Sequence, residues 1–555
     1  MNATTDTSAP AIEPVAQLAD LPEGSTKMIR VDGQRVCLVR TASGVHALDH
    51  ACPHEGYGLT QGNLDGDLLT CAWHNWKFRV TDGTCVLGQD DVTSHDVKVG
   101  DDGAVRVTLN QPEPAELRAR RFASLRRGIE RDDVGQVSRD VVRLLHADAD
   151  PADVMWEAIA HGAPRAEDGW GHSIAAATDC LAMVDLYAGD ERALPLVQGV
   201  AGVAESERDR RSRSLPAPAT DAATITLARF RQAVERESVA DAQAILRAAI
   251  HRGDPASELR RWFEAVVSDH HLSYGHGAIY SQKAFELLEM VGWTRADTVL
   301  GHLVPTIVYG TREDTLPYMR PFMKTLAGVD LEALAAVDAD EAWVDDGRLA
   351  SALLGSDRTA PVQAVAEALR AGAGPHGVLD AVVDAVSERM LRYDVAGEFD
   401  FDDDFGWLDI THGLTYANAV RWHHDAALDE GRDPGVTDDL VRLVFFTAFL
   451  AHWTGRHEWH TTVGERASVR PLSTDVFEYG DGLQRRSLLD GTTAFIVHAH
   501  AVKTSRAAAV ESRRRRTSLP LDATMRFMEA PKQERRVAAT VRRSIDFLAG
   551  RIVRE

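Results

Sequence analysis

Residues Cys52 to Trp76 read CPHEGYGLTQGNLDGDLLTCAWHNW, which sets a histidine within three residues of each of two cysteines: Cys52-Pro-His54 and Cys71-Ala-Trp-His74. Two thiolates and two imidazoles offered from two loops form a donor set for a metal centre. Glycines at 56, 58, 62 and 66 let backbone approach whatever the loops hold. The flanking text is strand-like. From Thr26 to Leu109, runs such as MIRV, RVCLVR, LLTCAW and VRVTL are separated by the turn pairs Asp32-Gly33, Asp65-Gly66, Asp82-Gly83 and Asp102-Gly103. Residues 20–110 are therefore predicted to form a small antiparallel β-domain.

The stretch NQPEPAEL, with two prolines, reads as a linker over 111–120. Beyond Glu116 the texture changes to Ala, Leu, Arg and Glu at helical spacing and stays so nearly to the end. Amphipathic or buried helices are clear at SQKAFELLEMVGW, AVAEALRAGAG and RLVFFTAFLAHW. The predicted fold class is thus multidomain: the β-domain, then a large all-α region over 121–555. Four of its helices embed histidine among small and apolar residues: GWGHSIAAATD, YGHGAIYSQKAF, ITHGLTYANAV and IVHAHAVKTSRA. Acidic text at FDFDDDFG and Gly/Asp-rich text around Asp433 and Asp481 predict loops.

Length and composition bound the rest. A chain of 555 residues exceeds one ordinary core, and 44% hydrophobic with 26% charged residues is the balance of a globular protein. The formal charge of −23 argues against a nucleic-acid partner, because that binding rests on Lys and Arg neutralising phosphates. The basic runs RARRFASLRR and SRRRRTS read as solvated helix faces or docks for an acidic partner. The N-terminus lacks a basic start followed by an apolar run, and no stretch of 18 apolar residues predicts a membrane span. Five cysteines in such a length do not make a disulfide framework, so a cytoplasmic location is expected. Cys37, Cys85 and Cys180 read as packed thiols.

The two Cys/His loops resemble the Rieske [2Fe-2S] family over roughly residues 20–110, including the downstream WHNWKFRVTDGTCVLG. That resemblance implies Cys52 and Cys71 on one iron and His54 and His74 on the other. A zinc site is the alternative for C-x-H plus C-x-x-H. Respiratory-type members add a cysteine to each loop, and here Tyr57 and Trp73 stand in those places. The ferredoxin-like branch is implied, with a potential toward the lower end of roughly −150 to +300 mV.

The usual partner of an oxygenase-type Rieske domain is an iron held by two histidines and a carboxylate in the pattern D-x-x-H-x4-H. Asp409-Ile-Thr-His412 begins that pattern, but residue 417 is Ala and the helical texture disagrees with the corresponding α+β fold. The segments HGAIYSQKAFE from His276, HGLTYANAVR from His412 and AHAVKTSRA from Ala499 instead resemble motifs of the questin oxidase-like family. GWGHSIAAATDCLAMVDLYAGD supplies that family's first His-bearing helix. The resemblance implies a helical oxygen-dependent protein with a mononuclear non-heme iron on His172, His276, His412 and His500. Lys503, one turn beyond His500, is implied as a further ligand after carboxylation by CO2.

The family often shows a second histidine four residues after the one matched by His276; Tyr280 stands there, facing substrate or packed in the core. Asp409 is either the acceptor that orients an imidazole or a carboxylate at a helix N-terminus. Singly, any buried histidine is more often a hydrogen-bonded core residue, and Lys503 has a surface reading. His302, His452 and His498 are reserve ligands. His270 and His271 are expected to flank a helix junction. RHEWH lacks HExxH spacing, HHD at His423 is a single dipeptide, and neither a G-x-G-x-x-G nor a Walker A pattern is found.

The expected function is an oxygenase. A flavin- or ferredoxin-type reductase loads the cluster, electrons pass to the iron, and O2 oxidises a small organic substrate of aromatic or polyketide-derived type. No nucleic-acid or membrane partner is expected; a homo-oligomer is compatible with the chain. The alternatives are an electron-transfer protein whose helical part is a docking scaffold, and a redox-gated hydrolase with a divalent metal.

Overall fold

The computed structural model describes residues 13–110, 113–399, 405–431, 438–460, 464–534 and 537–551. The chain divides into two compact units, Met1–Ser124 and Leu125–Glu555.

The first unit contains β1 (Ala16–Gln17), β2 (Ser25–Val31), β3 (Gln34–Thr41), β4 (Gly44–Asp49), β5 (Asn63–Asp65), β6 (Leu68–Thr70), β7 (Lys77–Arg79), β8 (Cys85–Leu87), β9 (Ser94–Val99) and β10 (Ala104–Thr108). They form a six-stranded antiparallel sheet in the order β1-β10-β9-β4-β3-β2 and a four-stranded one in the order β5-β6-β7-β8. The β2–β3 hairpin turns through Asp32 and Gly33, both at positive φ, as a two-residue turn between right-twisted strands requires. β3 is buried on both faces. Val36 and Leu38 join Ile29, Ala47, Val105 and Val107 on one side. Cys37 and Val39 join Leu48, Leu59, Leu69, Cys71 and Phe78 on the other, so the second core welds the two sheets.

The second unit is helical. Four of its helices carry the quoted histidine segments: α1 (His172–Ala182), α2 (His276–Val291), α3 (Trp407–Asp429) and α4 (Phe495–Arg515). α1 packs on α2 and α4, and α3 packs on α2 and α4, which closes a ring of four. α3 is buried along most of its length because small residues such as Gly413, Ala417 and Ala419 alternate with Leu414, Tyr416 and Val420. It is pinned to α4 by a buried ion pair, Arg421 Nε to Glu511 Oε2 at 3.0 Å. Gly275, just before α2, sits at φ +86°, where a side chain would meet the Tyr416 ring.

The expected linker is helical from Pro114, within Pro114–Arg131, since proline is at home in a first helical turn. Asp481, expected in a loop, lies inside the helix Val476–Ser487. The reason is close packing: a Cβ on Gly480 would stand 3.3 Å from Ala509 Cβ, and Asp481 pairs with Arg513. Asp433 and residues 400–404 of the acidic stretch lie outside the described residues. Among the described residues no helix is long and apolar enough to cross a membrane.

Candidate redox and metal centres

The first donor set sits on two adjacent loops of the β-unit. Cys52 follows β4, with its N–H on the Tyr57 carbonyl at 2.8 Å and its own carbonyl accepting from Gly56 N–H at 2.9 Å. Cys71 opens the β6–β7 turn, its N–H on the Trp76 carbonyl at 2.7 Å. Both thiols are buried in the core that welds the sheets, whereas His74 is exposed. The His54 and His74 rings lie 4.5 Å apart at 88°, and His54 stacks on Trp76 at 4.7 Å. His74 and Asn75 both take left-handed backbone, at φ 59° and 61°, a conformation costing roughly 1–2 kcal/mol per residue that marks a geometry imposed by the site.

Burial, with Cys71 alongside, pushes the Cys52 thiol up to about 12. A pair of sulfurs so placed ionises for a cation rather than for water. All five cysteines are free thiols, and Tyr57 and Trp73, stacked at 4.5 Å, hold the loops together where a disulfide is not available. Sulfur donors facing inward and imidazoles facing outward fit a [2Fe-2S] cluster with unlike irons.

Residues 11–98 match the family described as Rieske [2Fe-2S] domain. The N-terminal unit carries a Rieske [2Fe-2S] domain. Two curated relatives align with the Rieske domain alone. The 4beta-methylsterol monooxygenase of Methylococcus capsulatus is 43% identical over 53 residues, covering 9% of this chain and 14% of the relative. The ferredoxin component of the naphthalene 1,2-dioxygenase/salicylate 5-hydroxylase systems of Ralstonia sp. is 29% identical over 86 residues, covering 15% of this chain and 83% of the relative. Among solved structures, the ferredoxin of carbazole 1,9a-dioxygenase from Nocardioides aromaticivorans IC177 is 27% identical, covers 18% of this chain and 98% of its own, and has a TM-score of 0.17. The chain thus spans about one seventh of the sterol monooxygenase's length.

Beyond the Rieske domain, the helical unit brings four predicted residues together. His172 and His276 open α1 and α2, and His412 and His500 lie in the early turns of α3 and α4. Ligand nitrogens of His172, His412 and His500 lie within 4.8 Å of one another. The Nε2 atoms of His276 and His412 lie 2.8 Å apart, and the His172 and His276 rings are 4.8 Å apart. Nitrogens sharing one cation at ~2.1 Å lie about 3 Å apart when their bonds meet at right angles, so the set has the scale of a coordination sphere.

Hydrogen bonds orient the rings. His412 Nδ1–H donates to the Leu408 carbonyl at 2.6 Å, which leaves the lone pair on Nε2. The Thr411 hydroxyl donates to the same carbonyl at 3.0 Å and accepts from His500 Nδ1–H at 3.0 Å, turning Nε2 of His500 inward. His172 Nδ1 is 3.1 Å from the Tyr280 hydroxyl, and its Nε2 is buried without a hydrogen-bond partner. Burial, reinforced by the Lys503 charge, holds His172, His276 and His500 well below the usual imidazole range and His412 at about 3. For His276 the neighbouring rings act before Lys503. Neutral rings with inward lone pairs, one of them orphaned, fit a divalent transition metal.

Lys503 belongs to the same wall. It is 2% exposed, its Nζ has no hydrogen-bond partner, and burial pushes its amine down to about 7. Tyr280 packs between them, its ring 4.9 Å from His276 and 5.8 Å from Lys503 Nζ. Asp409 accepts from Gly406 N–H at 2.9 Å at the start of α3 and lies 4.0 Å from Arg456; its charge acts on the Tyr274 phenol, whose ring is 5.7 Å from His412.

The reserve histidines sit elsewhere. His302 neighbours Asp297 and Arg247, His452 Nδ1 bonds the Ala352 carbonyl at 3.2 Å, and His498 lines a cleft beside Lys532. His270 and His271 do follow the helix Ala256–Asp269, ahead of α2. Sequence reasoning missed Thr411, Tyr274 and Asp179. Thr411 adjoins His412 in the quoted motif, so the adjacency was there to be read.

Proposed function

We propose that the protein is a Rieske-containing non-heme iron oxygenase acting on a small organic substrate, of the aromatic or polyketide-derived kind that the histidine segments imply. The observation carrying this reading is the convergence of four buried or half-buried histidine rings from four helices, His172, His412 and His500 within 4.8 Å and His276 2.8 Å from His412. The Rieske domain's similarity to a ferredoxin component and to part of a monooxygenase supports the redox half.

When bound, iron at His172, His276, His412 and His500 supplies O2 activation, and the cluster at Cys52, His54, Cys71 and His74 supplies single electrons. The chain's own residues do the rest. Leu408 and Thr411 fix the tautomers of His412 and His500. Tyr280 holds the outer nitrogen of His172. Lys503, with its lowered amine, is poised to be neutral near physiological pH, which is the form that reacts with CO2 or shares a proton. The buried walls exclude water from the point where the rings meet. A flavin- or ferredoxin-type reductase as donor completes the reading.

The test is a count of metal and sulfide on purified protein. One iron beyond the two of the cluster is expected per chain, lost in His276→Ala and His412→Ala while the Rieske electron paramagnetic resonance signal stays. A wild-type protein holding only the cluster irons returns the chain to the electron-transfer reading, with the helical unit a scaffold.

A further inference from the structure

On the faces of α1, α2 and α4 that bear the histidines, a second set of side chains continues away from the centre. Asp179 lies two turns after His172 and Lys283 two turns after His276, while Arg506 lies three residues beyond Lys503 on α4. Asp179 is completely buried, and Lys283 Nζ lies 2.8 Å from its Oδ1. The same ammonium donates to Glu286 Oε2 at 2.8 Å, and Gln282 Nε2 donates to Glu286 Oε1 at 2.9 Å. Lys283, Glu286, Gln282, Asn418 and Arg506 line a cleft of about 90 Å³. Side-chain exposure falls inward along the row: 24% at Glu286, 7% at Lys283 and zero at Asp179.

At the inner end stands Lys503. Asp179 and Lys283 are the charges that act on its amine, and Lys503 in turn acts on all four imidazoles. The charged groups facing Asp179 are Lys283 and Glu286 from α2 and Arg506 from α4. A purely structural carboxylate has little reason to be here. Buried ion pairs are often no more stabilising than apolar packing, and neither Asp179 oxygen makes a hydrogen bond of good geometry although Lys283 Nζ stands 2.8 Å from Oδ1. The row instead leads from the cleft to a fully buried carboxylate on α1, two turns along the helix from His172.

We propose that Glu286, Lys283 and Asp179 form the proton-entry path to the imidazole centre. This rests on the oxygenase reading, whose stoichiometry creates the demand: a C–H bond, O2, two electrons from the reductant and two protons yield C–OH and water. An imidazole nitrogen that binds a metal carries no proton to give at the centre. Glu286 takes a proton from water in the cleft. Lys283 passes one of its protons to Asp179 and recovers one from Glu286, so it ends as it began. Asp179 then holds the proton two turns along α1 from His172.

The experiment uses full-length protein carrying its metals, reduced with dithionite without air and mixed with O2. Cluster reoxidation is followed by visible absorbance and proton uptake by a pH-indicator dye, in H2O and D2O. Asp179→Asn and Glu286→Gln are expected to keep wild-type iron and sulfide content and to slow proton uptake about tenfold or more. The solvent isotope effect should rise, and formate should restore part of the rate in Asp179→Asn. Unchanged uptake and isotope effect in both variants overturn the path. So does loss of the additional iron in both, which makes the row structural. Failure of the parent reading looks different: wild-type reoxidation no faster than that of His412→Ala.

Discussion

The Thr411 hydroxyl stands 3.0 Å from His500 Nδ1, and because its own hydrogen goes to the Leu408 carbonyl it can only accept there. The neighbouring His412 ring uses that carbonyl too. Two of the four rings are therefore set by one turn of α3. Thr411→Val keeps the shape and removes the acceptor, so iron affinity should fall about 10–100-fold in chelator competition, with the cluster untouched. Thr411→Ser should bind as wild type. Equal affinity in the valine variant would show that the hydroxyl does not orient the ring.

Gly275 controls where His276 begins. At φ +86° a Cβ would lie 2.4 Å from the Tyr416 ring, which is fixed in the core of α3. Gly275→Ala combines left-handed strain with overpacking, so a loss of ~2–4 kcal/mol in urea unfolding is expected, together with a lower iron content. Gly431, also at positive φ but with open space around it, is the control: Gly431→Ala should be milder on both measures.

Arg421 and Glu511 are 2% and 0% exposed, and Arg421 also reaches Asp380 at 2.7 Å. Removing one partner strands a buried charge. Arg421→Ala should cost about 3–5 kcal/mol in denaturant unfolding, and Arg421→Met with Glu511→Leu should recover a large part of it. A double variant as weak as the single one would locate the loss in shape rather than charge.

His270 bridges Asp314 Oδ2 at 2.9 Å and Glu235 Oε2 at 3.0 Å, and its Asp314 bond, with Glu235 adding, raises its pKa against burial and the nearby Arg312. The folded value lies above the unfolded one, so the protonated form is the stabilised form. Its contribution is whole below about pH 6.5 and fades as pH climbs through the raised folded value. The urea midpoint of wild type should therefore drop relative to His270→Gln between pH 6 and 8.5. A constant difference between the two proteins would rule the bridge out as a titrating clamp.

What could be read in advance depended on how far each signal reached along the chain. Cys52, His54, Cys71 and His74 sit in one short text, as do the turn pairs that make the hairpins. The four helical histidines were legible because each carries its own small-residue surroundings, which close helix packing demands. Asp179 and Lys283 were not, since their meaning is a 2.8 Å contact between helices whose sequences say nothing of one another. Asp481 misled for a related reason: glycines at 480 and 482 read as a turn, yet Gly480 serves the approach of Ala509.

The two donor sets differ in how much chain must exist before each can close. The four Rieske donors are all in the chain by residue 74 and the strands of their unit by Thr108, whereas the ring of α1 to α4 waits for a helix that ends at Arg515. A nascent chain thus presents both sulfur donors while its histidine ring still lacks a wall. The histidine ring is the later of the two to close, since its last wall, α4, ends some four hundred residues beyond the Rieske strands.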